Sequence, residues 1–266
     1  AVTRTQRFDV SEPIRTGGFT IRDTHSFGKT ADVTDIIIES SNIGTVHVAR
    51  AYGAKRQEAF LKEAGLMSKA AVELPGSEAP IVPARLDETA AAAVSYGHAI
   101  SVSPMAFLPA FAALGNGGVK VAPTLLANPD RKPETVTLFS AETAEDVVAM
   151  MRASVLRGTG LPAEVAGYRV AGKTGTGEKP IVGGYDKNSN ISSFAAVFPA
   201  DGPQYALIVT LDIPKAHPGR AATAAGSAAP VAGRIVERVA PILGVTPRFE
   251  DIRQARPQQS ERSPER

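Results

Sequence analysis

The sequence predicts an α+β domain with an antiparallel sheet, and three observations carry that class. Helix-spaced apolar residues dominate the chain up to Gly158. Two apolar runs of strand length, 193–198 and 205–213, come later, joined by the turn residues Pro199-Ala200-Asp201-Gly202. An Ala-rich helical stretch over 221–243 follows them. Helices first and a strand–turn–strand–helix finish place helices against one sheet, whereas a parallel fold would alternate βα units. With 266 residues, 43% of them hydrophobic, the chain can bury one large core or two small ones.

The elements can be justified in order. Arg7-Phe8-Asp9-Val10 and Phe19-Thr20-Ile21-Arg22 are β-like runs, with Gly17-Gly18 as the turn between them. Thr34 is the expected N-cap of a helix through Ile36-Ile37-Ile38, which breaks at Ser40-Ser41-Asn42. A second helical pattern resumes with Val46, Val48, Ala49 and Tyr52; residues 55–66 are amphipathic, and 88–96 form an Ala-rich helix. Ser103-Pro104 supplies a cap and first position for a helix bearing Phe107, Leu108, Phe111 and Leu114, which Pro109 should kink or shorten. Ser140 caps a helix carrying Val147, Val148, Met150, Met151 and Val155, stopped by Gly158. Residues 178–190 read as a Gly-rich connection able to gate a cleft. The domain is expected to span 1–245, with 246–266 a disordered tail of Arg, Gln, Glu, Ser and Pro.

Composition narrows function. A net charge of +2 without a dense Lys/Arg run argues against nucleic acid as a partner. With no cysteine there are no disulfides and no thiolate metal sites, and His25, His47, His98 and His217 lack metal-ligand spacing. No cofactor or metal is expected. No run of about 18 apolar residues is present to span a bilayer. The chain starts Ala1-Val2-Thr3, without Met or a signal-like segment, which suggests processing or a piece of a longer protein.

One stretch, 167–175, supports two chemistries. Gly167-Tyr168-Arg169-Val170-Ala171-Gly172-Lys173-Thr174 satisfies the pattern of a phosphate-binding P-loop, and the strand-like 206–212 ends in Asp212, as a magnesium-binding strand would. A working P-loop needs a buried strand before its first Gly and a helix beginning at its Lys. Here turn residues precede Gly167, and Gly175-Thr176-Gly177-Glu178-Lys179-Pro180 follows, where Gly and Pro oppose a helix. In the other reading, Lys173-Thr174-Gly175-Thr176 lies on an edge strand facing a cleft. There it offers a cation, hydroxyls and a backbone N–H to a carboxylate-bearing acyl substrate, with Gly175 leaving room for close approach.

The second reading connects to Ser40-Ser41-Asn42, because Ser-x-Asn and Lys-Thr-Gly are two of the three motifs of penicillin-recognising enzymes. The run Asp35 to Gly44, Ser95-Tyr96-Gly97-His98 through Ser103-Pro104, Ala171 to Thr176, and Ser193 to Pro199 also resemble that family. Over about residues 6–245 the chain resembles the transpeptidase domain of a class B penicillin-binding protein, most like the septal, division-specific type of α-proteobacteria. The resemblance implies a β-lactamase/transpeptidase-like fold with an α-helical subdomain, incomplete at its N-terminus. It implies a DD-transpeptidase that acts on D-Ala-D-Ala stem peptides of peptidoglycan, is blocked by β-lactam antibiotics, and works with divisome membrane proteins on the periplasmic side of the inner membrane. In that family a serine attacks the penultimate carbonyl, D-Ala leaves, and the acyl group passes to an amine of a neighbouring stem.

The resemblance also implies residue roles. Ser40 joins the proton relay around the nucleophile, and Asn42 holds the substrate's amide side. Lys173 supplies positive potential, and Thr174 and Thr176 meet the substrate carboxylate. Gly175 lines the binding strand, and the Thr176 N–H is half of an oxyanion hole. Against these stand plainer readings: Ser40 and Asn42 as helix-ending and helix-capping residues, Lys173 as a solvated edge-strand lysine, and His98 as a packed or capping residue.

The family's nucleophile belongs to a Ser-x-x-Lys at a helix start, where one turn brings the Lys beside the Ser. Ser26-Phe27-Gly28-Lys29 fits the letters only: Gly28 opposes a helix, and Ser26 lies 14 residues before Ser40, where the family spacing is about fifty. The expectation is therefore a chain without its nucleophile, inactive alone and marginal in stability. Rival readings are a non-catalytic sensor domain or pseudoenzyme, a DD-carboxypeptidase, or a serine β-lactamase. The class A type of the last uses a Glu-x-x-x-Asn arrangement, and no Asn here has a Glu four residues before it.

Overall fold

The computed structural model describes residues 2–128, 130–181, 184–215 and 222–249. Its centre is a three-stranded antiparallel sheet of β7 (Ala171–Ile181), β8 (Gly184–Phe198) and β9 (Tyr205–Asp212), in the order β7-β8-β9. Side chains alternate across β8. Phe194, Ala196 and Phe198 face α7 (Ala228–Ile242), where they meet Ala228, Ala229, Ala232, Val236 and Ala240. Ala195 and Val197 face the other way, with Ala171, onto Phe111 of α5 (Pro104–Ala112) and Val148 and Met151 of α6 (Ala141–Arg157). Phe194 is fully buried and contributes roughly 1.5–3 kcal/mol relative to exposure. The face α7 turns to the sheet is mostly Ala, so helix and sheet approach closely, while Gly233 passes the 3₁₀ turn Leu161–Ala163, where a Cβ would stand 3.3 Å from the Ala163 backbone.

The helical lobe packs beside this sheet. α1 (Val33–Glu39) and α2 (Asn42–Tyr52) share a core with four short strands, built from Val10, Ile14, Ile21, Ala31, Ile36, Ile43 and Val46. α3 (Ala54–Ala64) and α4 (Glu88–Ser95) form a smaller cluster around Ala54, Leu86, Ala91 and Val94. The two lobes meet mainly through α1 and α6, and Gly158, just past α6, has no room for a Cβ against the Ile38 carbonyl at 2.5 Å.

Several expectations hold. Ser103 and Ser140 accept hydrogen bonds from Met105 N–H and Thr143 N–H, both at 3.2 Å, capping α5 and α6. α5 keeps Pro109 inside but ends after nine residues and tightens into a 3₁₀ turn, Ala113–Asn116.

Others are corrected. The Gly17-Gly18 turn joins β2 (Ile14–Thr16) to β3 (Phe19–Ile21), whereas β1 (Arg7–Asp9) pairs with β4 (Thr30–Asp32). A two-residue turn with both φ positive, here 53° and 84°, couples only its immediate flanks. Asp32, not Thr34, caps α1: its carboxylate accepts from Asp35 N–H at 2.9 Å, and Asp35 returns the contact in a capping box. Most of 178–190 is not a loop. β7 and β8 pair out to Ile181 and Gly184, with a register shift between Glu178 and Lys179, because each added rung satisfies backbone groups that a loop would leave to water. α7 begins at Ala228 and not near 221, after a turn at 223–226 that includes the helix-opposing Gly226. β5 (Val119–Val121) and β6 (Thr135–Thr137) are too short to leave a period in the sequence. His217 and most of the expected tail, 250–266, fall outside the described residues. No helix among the described residues is long and apolar enough to cross a membrane.

Candidate active site

The joint between α1 and α2 holds the first half of the site. Ser40 ends α1 in the left-handed region, φ 58° and ψ 45°, a conformation that costs a non-glycine residue about 1–2 kcal/mol. Ser41, 1% exposed, is the N-cap of α2, its Oγ accepting from Gly44 N–H at 2.9 Å. Gly44 has to be small, since a Cβ there would lie 2.4 Å from the Ile36 side chain. Asn42 opens α2 and donates its side-chain N–H to the Arg22 carbonyl at 3.0 Å, leaving its side-chain oxygen uncommitted to that bond.

The second half lies on β7, the edge strand. Lys173 crosses 133 residues of sequence to donate to Ser40 Oγ at 2.7 Å, and it also donates to the Thr174 carbonyl at 3.1 Å. Burial pushes the Lys173 ammonium down to about 8. At pH 7 roughly one molecule in ten would then carry a neutral amine here, against about one in three thousand for an ordinary lysine. Burial thus makes the neutral amine more accessible at Lys173 than at an exposed lysine, while the ammonium donates to Ser40 Oγ. Ser40 is the C-cap of α1, Ser41 and not Asn42 caps α2, and Lys173 is not a solvated edge lysine.

Around the lysine, Thr174 Oγ1 is 2.7 Å from Thr159 Oγ1, in the Gly158-Thr159-Gly160 turn after α6. Thr176 accepts a hydrogen bond from Ala224 N–H at 2.8 Å, so its O–H proton is what remains to offer. Gly172 and Gly175 differ in cause. A Cβ on Gly172 would meet Phe194 Cζ at 2.5 Å and the Ala195 carbonyl at 2.7 Å, whereas one on Gly175 would meet nothing within 4 Å. Neither the backbone nor a described neighbour demands glycine at 175, and the space beside it is open.

A cleft of about 310 Å³ runs from Gly175, Thr176 and Gly177 to Tyr96 and His98. His98 is a packing residue, as expected: its ring stacks on Tyr185 at 4.5 Å and lies 6.0 Å from Tyr96. Tyr185 Oη accepts from Ala99 N–H at 3.0 Å, which ties the β7–β8 hairpin to the segment after α4. Sequence reasoning missed Thr159, Tyr185 and Ala224, whose contributions arise from tertiary contact and carry no motif.

Ser26–Lys29 lies in irregular backbone between β3 and β4, with Gly28 at φ 138°, so no helical turn places Lys29 over Ser26. The P-loop reading fails on the same structure, because Gly172, Lys173 and Thr174 are strand residues paired with Ala196, Ala195 and Phe194, and no helix starts at Lys173.

Comparison with known proteins agrees with this geometry. Residues 2–237 match the family model described as the penicillin binding protein transpeptidase domain. The chain is 38% identical over 261 residues to the probable peptidoglycan D,D-transpeptidase FtsI of Caulobacter vibrioides, covering 93% of this chain and 44% of that protein. It is 30% identical to the stage V sporulation protein D of Bacillus subtilis, covering 82% and 35%. The chain thus spans less than half the length of these curated relatives. The apo transpeptidase domain of Burkholderia pseudomallei penicillin-binding protein 3 superposes with TM-score 0.84 at 28% identity, covering 92% of this chain and 75% of that one. Penicillin-binding protein 3 of Mycobacterium tuberculosis, solved with ampicillin, gives TM-score 0.82 at 29% identity, covering 92% and 59%.

Proposed function

The chain belongs to the penicillin-binding-protein transpeptidase family, and from that premise we propose that it forms the substrate-binding and proton-relay walls of a septal peptidoglycan DD-transpeptidase site. The observation that carries the reading is the Lys173–Ser40 contact at 2.7 Å, which joins the Ser-x-Asn and Lys-Thr-Gly motifs into one cluster. In this reading Lys173 and the O–H groups of Thr174 and Thr176 bind the carboxylate of a D-Ala-D-Ala end or of a β-lactam. Asn42 orients the acyl donor's amide through its side-chain oxygen, and the Thr176 N–H faces the carbonyl oxygen that becomes negative. Ser40 and Lys173 pass a proton between them.

No Ser-x-x-Lys among the described residues stands on a helical turn beside this cluster. The proposal is accordingly that this chain recognises the acyl donor without forming an acyl-enzyme. The periplasmic face of the inner membrane and divisome membrane proteins are the setting proposed with it, on the family resemblance of the two motifs.

The test uses fluorescent penicillin with two readouts on the same chain. Fluorescence polarisation under native conditions should show saturable binding, weakened at least tenfold by Lys173→Ala and by Thr174→Val. A denaturing gel should show no covalent band. A covalent band lost on Ser26→Ala would overturn the non-covalent part, and a flat polarisation curve would overturn recognition itself.

A further inference from the structure

Neither motif accounts for what holds Ser40 and Asn42 in place. Ser40 is strained, and strain of that kind persists only where surrounding contacts over-determine it. The contacts come from the short segment after β3. Asp23 accepts from Ser41 Oγ–H at 2.7 Å through one carboxylate oxygen and from Ile43 N–H at 3.0 Å through the other. The Ser41 hydroxyl is thereby used twice, as donor to Asp23 and as acceptor from Gly44 N–H. Next to Asp23, the Arg22 carbonyl receives the Asn42 amide, and His25 Nε2 lies 3.0 Å from Glu39 Oε2. Residues 22, 23 and 25 thus fasten the last residue of α1 and the first turn of α2, on either side of Ser40.

We infer that Asp23 is a positioning residue of the site, whose carboxylate fixes the α1–α2 joint so that Ser40 and Asn42 stand opposite Lys173. The purpose rests on the functional reading above, but the geometry does not. Its negative charge also sits at the N-terminus of α2, where unpaired N–H groups favour an anion, so a merely structural role is the rival explanation.

The two separate at Lys173, which Asp23 does not touch. Loosening the joint would let water reach Lys173 and raise its titration midpoint from about 8 towards the ordinary lysine value. Loss of a negative charge by itself would lower an ammonium midpoint, so a rise reports loss of enclosure. Lysine labelled with ¹³C at Cε, with Lys173 assigned by Lys173→Arg, would be titrated by NMR in the full chain carrying Asp23→Ala, Asp23→Asn or Asp87→Ala. Asp87 is the control: it caps α4 by accepting from Thr89 and Ala90 N–H at 3.0 and 2.9 Å, at the end of that helix opposite the cleft residue Tyr96.

Asp23→Ala should raise the midpoint by about one unit or more, with Asp23→Asn in between because it keeps the acceptor for Ile43 N–H. Asp87→Ala should lower the melting temperature and leave the midpoint in place. An unchanged midpoint in folded Asp23→Ala, or an equal shift in Asp87→Ala, would overturn the inference. Should Asp23→Ala fail to fold, Asp23→Asn decides alone. If Lys173 responds to Asp23 but the wild-type chain binds no penicillin, the positioning role stands and the functional reading falls.

Discussion

The two walls of the site are built by different means. Lys173 rides on a strand whose place is set by a backbone ladder to β8 and by a helix-backed sheet, so its Cα position is the sum of many interchangeable contacts. Ser40, itself strained, and Asn42 sit at a joint between two helices, held by four polar contacts from one short segment. Core damage should therefore disable the first wall only by unfolding it. The second should lose geometry while the fold survives.

The largest effect tests the sheet. Phe194→Ala empties a fully buried position between β7, β8 and α7 and should cost about 3–5 kcal/mol, read as a lowered urea midpoint with global unfolding. A loss under about 1 kcal/mol would mean that the sheet and α7 are loosely packed around Phe194.

Next come the two glycines of the binding strand. Gly172→Ala drives a methyl into Phe194 and the Ala195 carbonyl and should cost about 1–3 kcal/mol. Gly175→Ala meets open space and should stay within about 0.5 kcal/mol of wild type, yet weaken penicillin binding at least tenfold. Equal stability losses at the two positions would erase the distinction between a glycine required by packing and one required by a ligand.

Lys173 probes the boundary between the walls. Its folded midpoint, about 8, lies below the unfolded value near 10.5, so between those pH values the unfolded chain binds more protons. Stability should therefore rise with pH across that window. The penalty of burying the charge is fully present below pH 8 and gone above about 10.5. Lys173→Met should raise stability at pH 7 by about 1–3 kcal/mol and flatten that alkaline slope, followed by denaturant melts at pH 7 and pH 10.

The smallest effect is Ser40→Gly. Relief of the left-handed strain and the added freedom of the unfolded chain nearly offset each other, so the melting temperature should hold within about 3 °C. The Lys173–Ser40 contact is lost all the same, and penicillin binding should fall.

Legibility in the sequence followed the same division. Ser103, Ser140 and the strands around 193–198 and 205–212 are readable because capping residues and apolar runs bounded by turn residues are local signals. The pairing of Arg7–Asp9 with β4 was not, since partner choice among three-residue strands depends on what packs behind them. At the site, the motif residues Ser40, Asn42 and Lys173 were named in advance, and the structure brings Ser40 and Lys173 into contact. Asp23, Thr159 and Tyr185 were not named. An isolated Asp in a connecting segment looks like any solvated Asp until the chain folds it onto Ser41.

The small-residue face of α7 has a consequence in time. With Ala228, Ala229, Ala232 and Ala240 fully buried against the sheet, β8 and α7 should be the last backbone to exchange amide hydrogens with solvent. The Ser40 joint, tied by a few exchangeable side-chain bonds, should open far more often. The lifetime of the assembled site is then the lifetime of that joint, however slowly the sheet behind Lys173 comes apart.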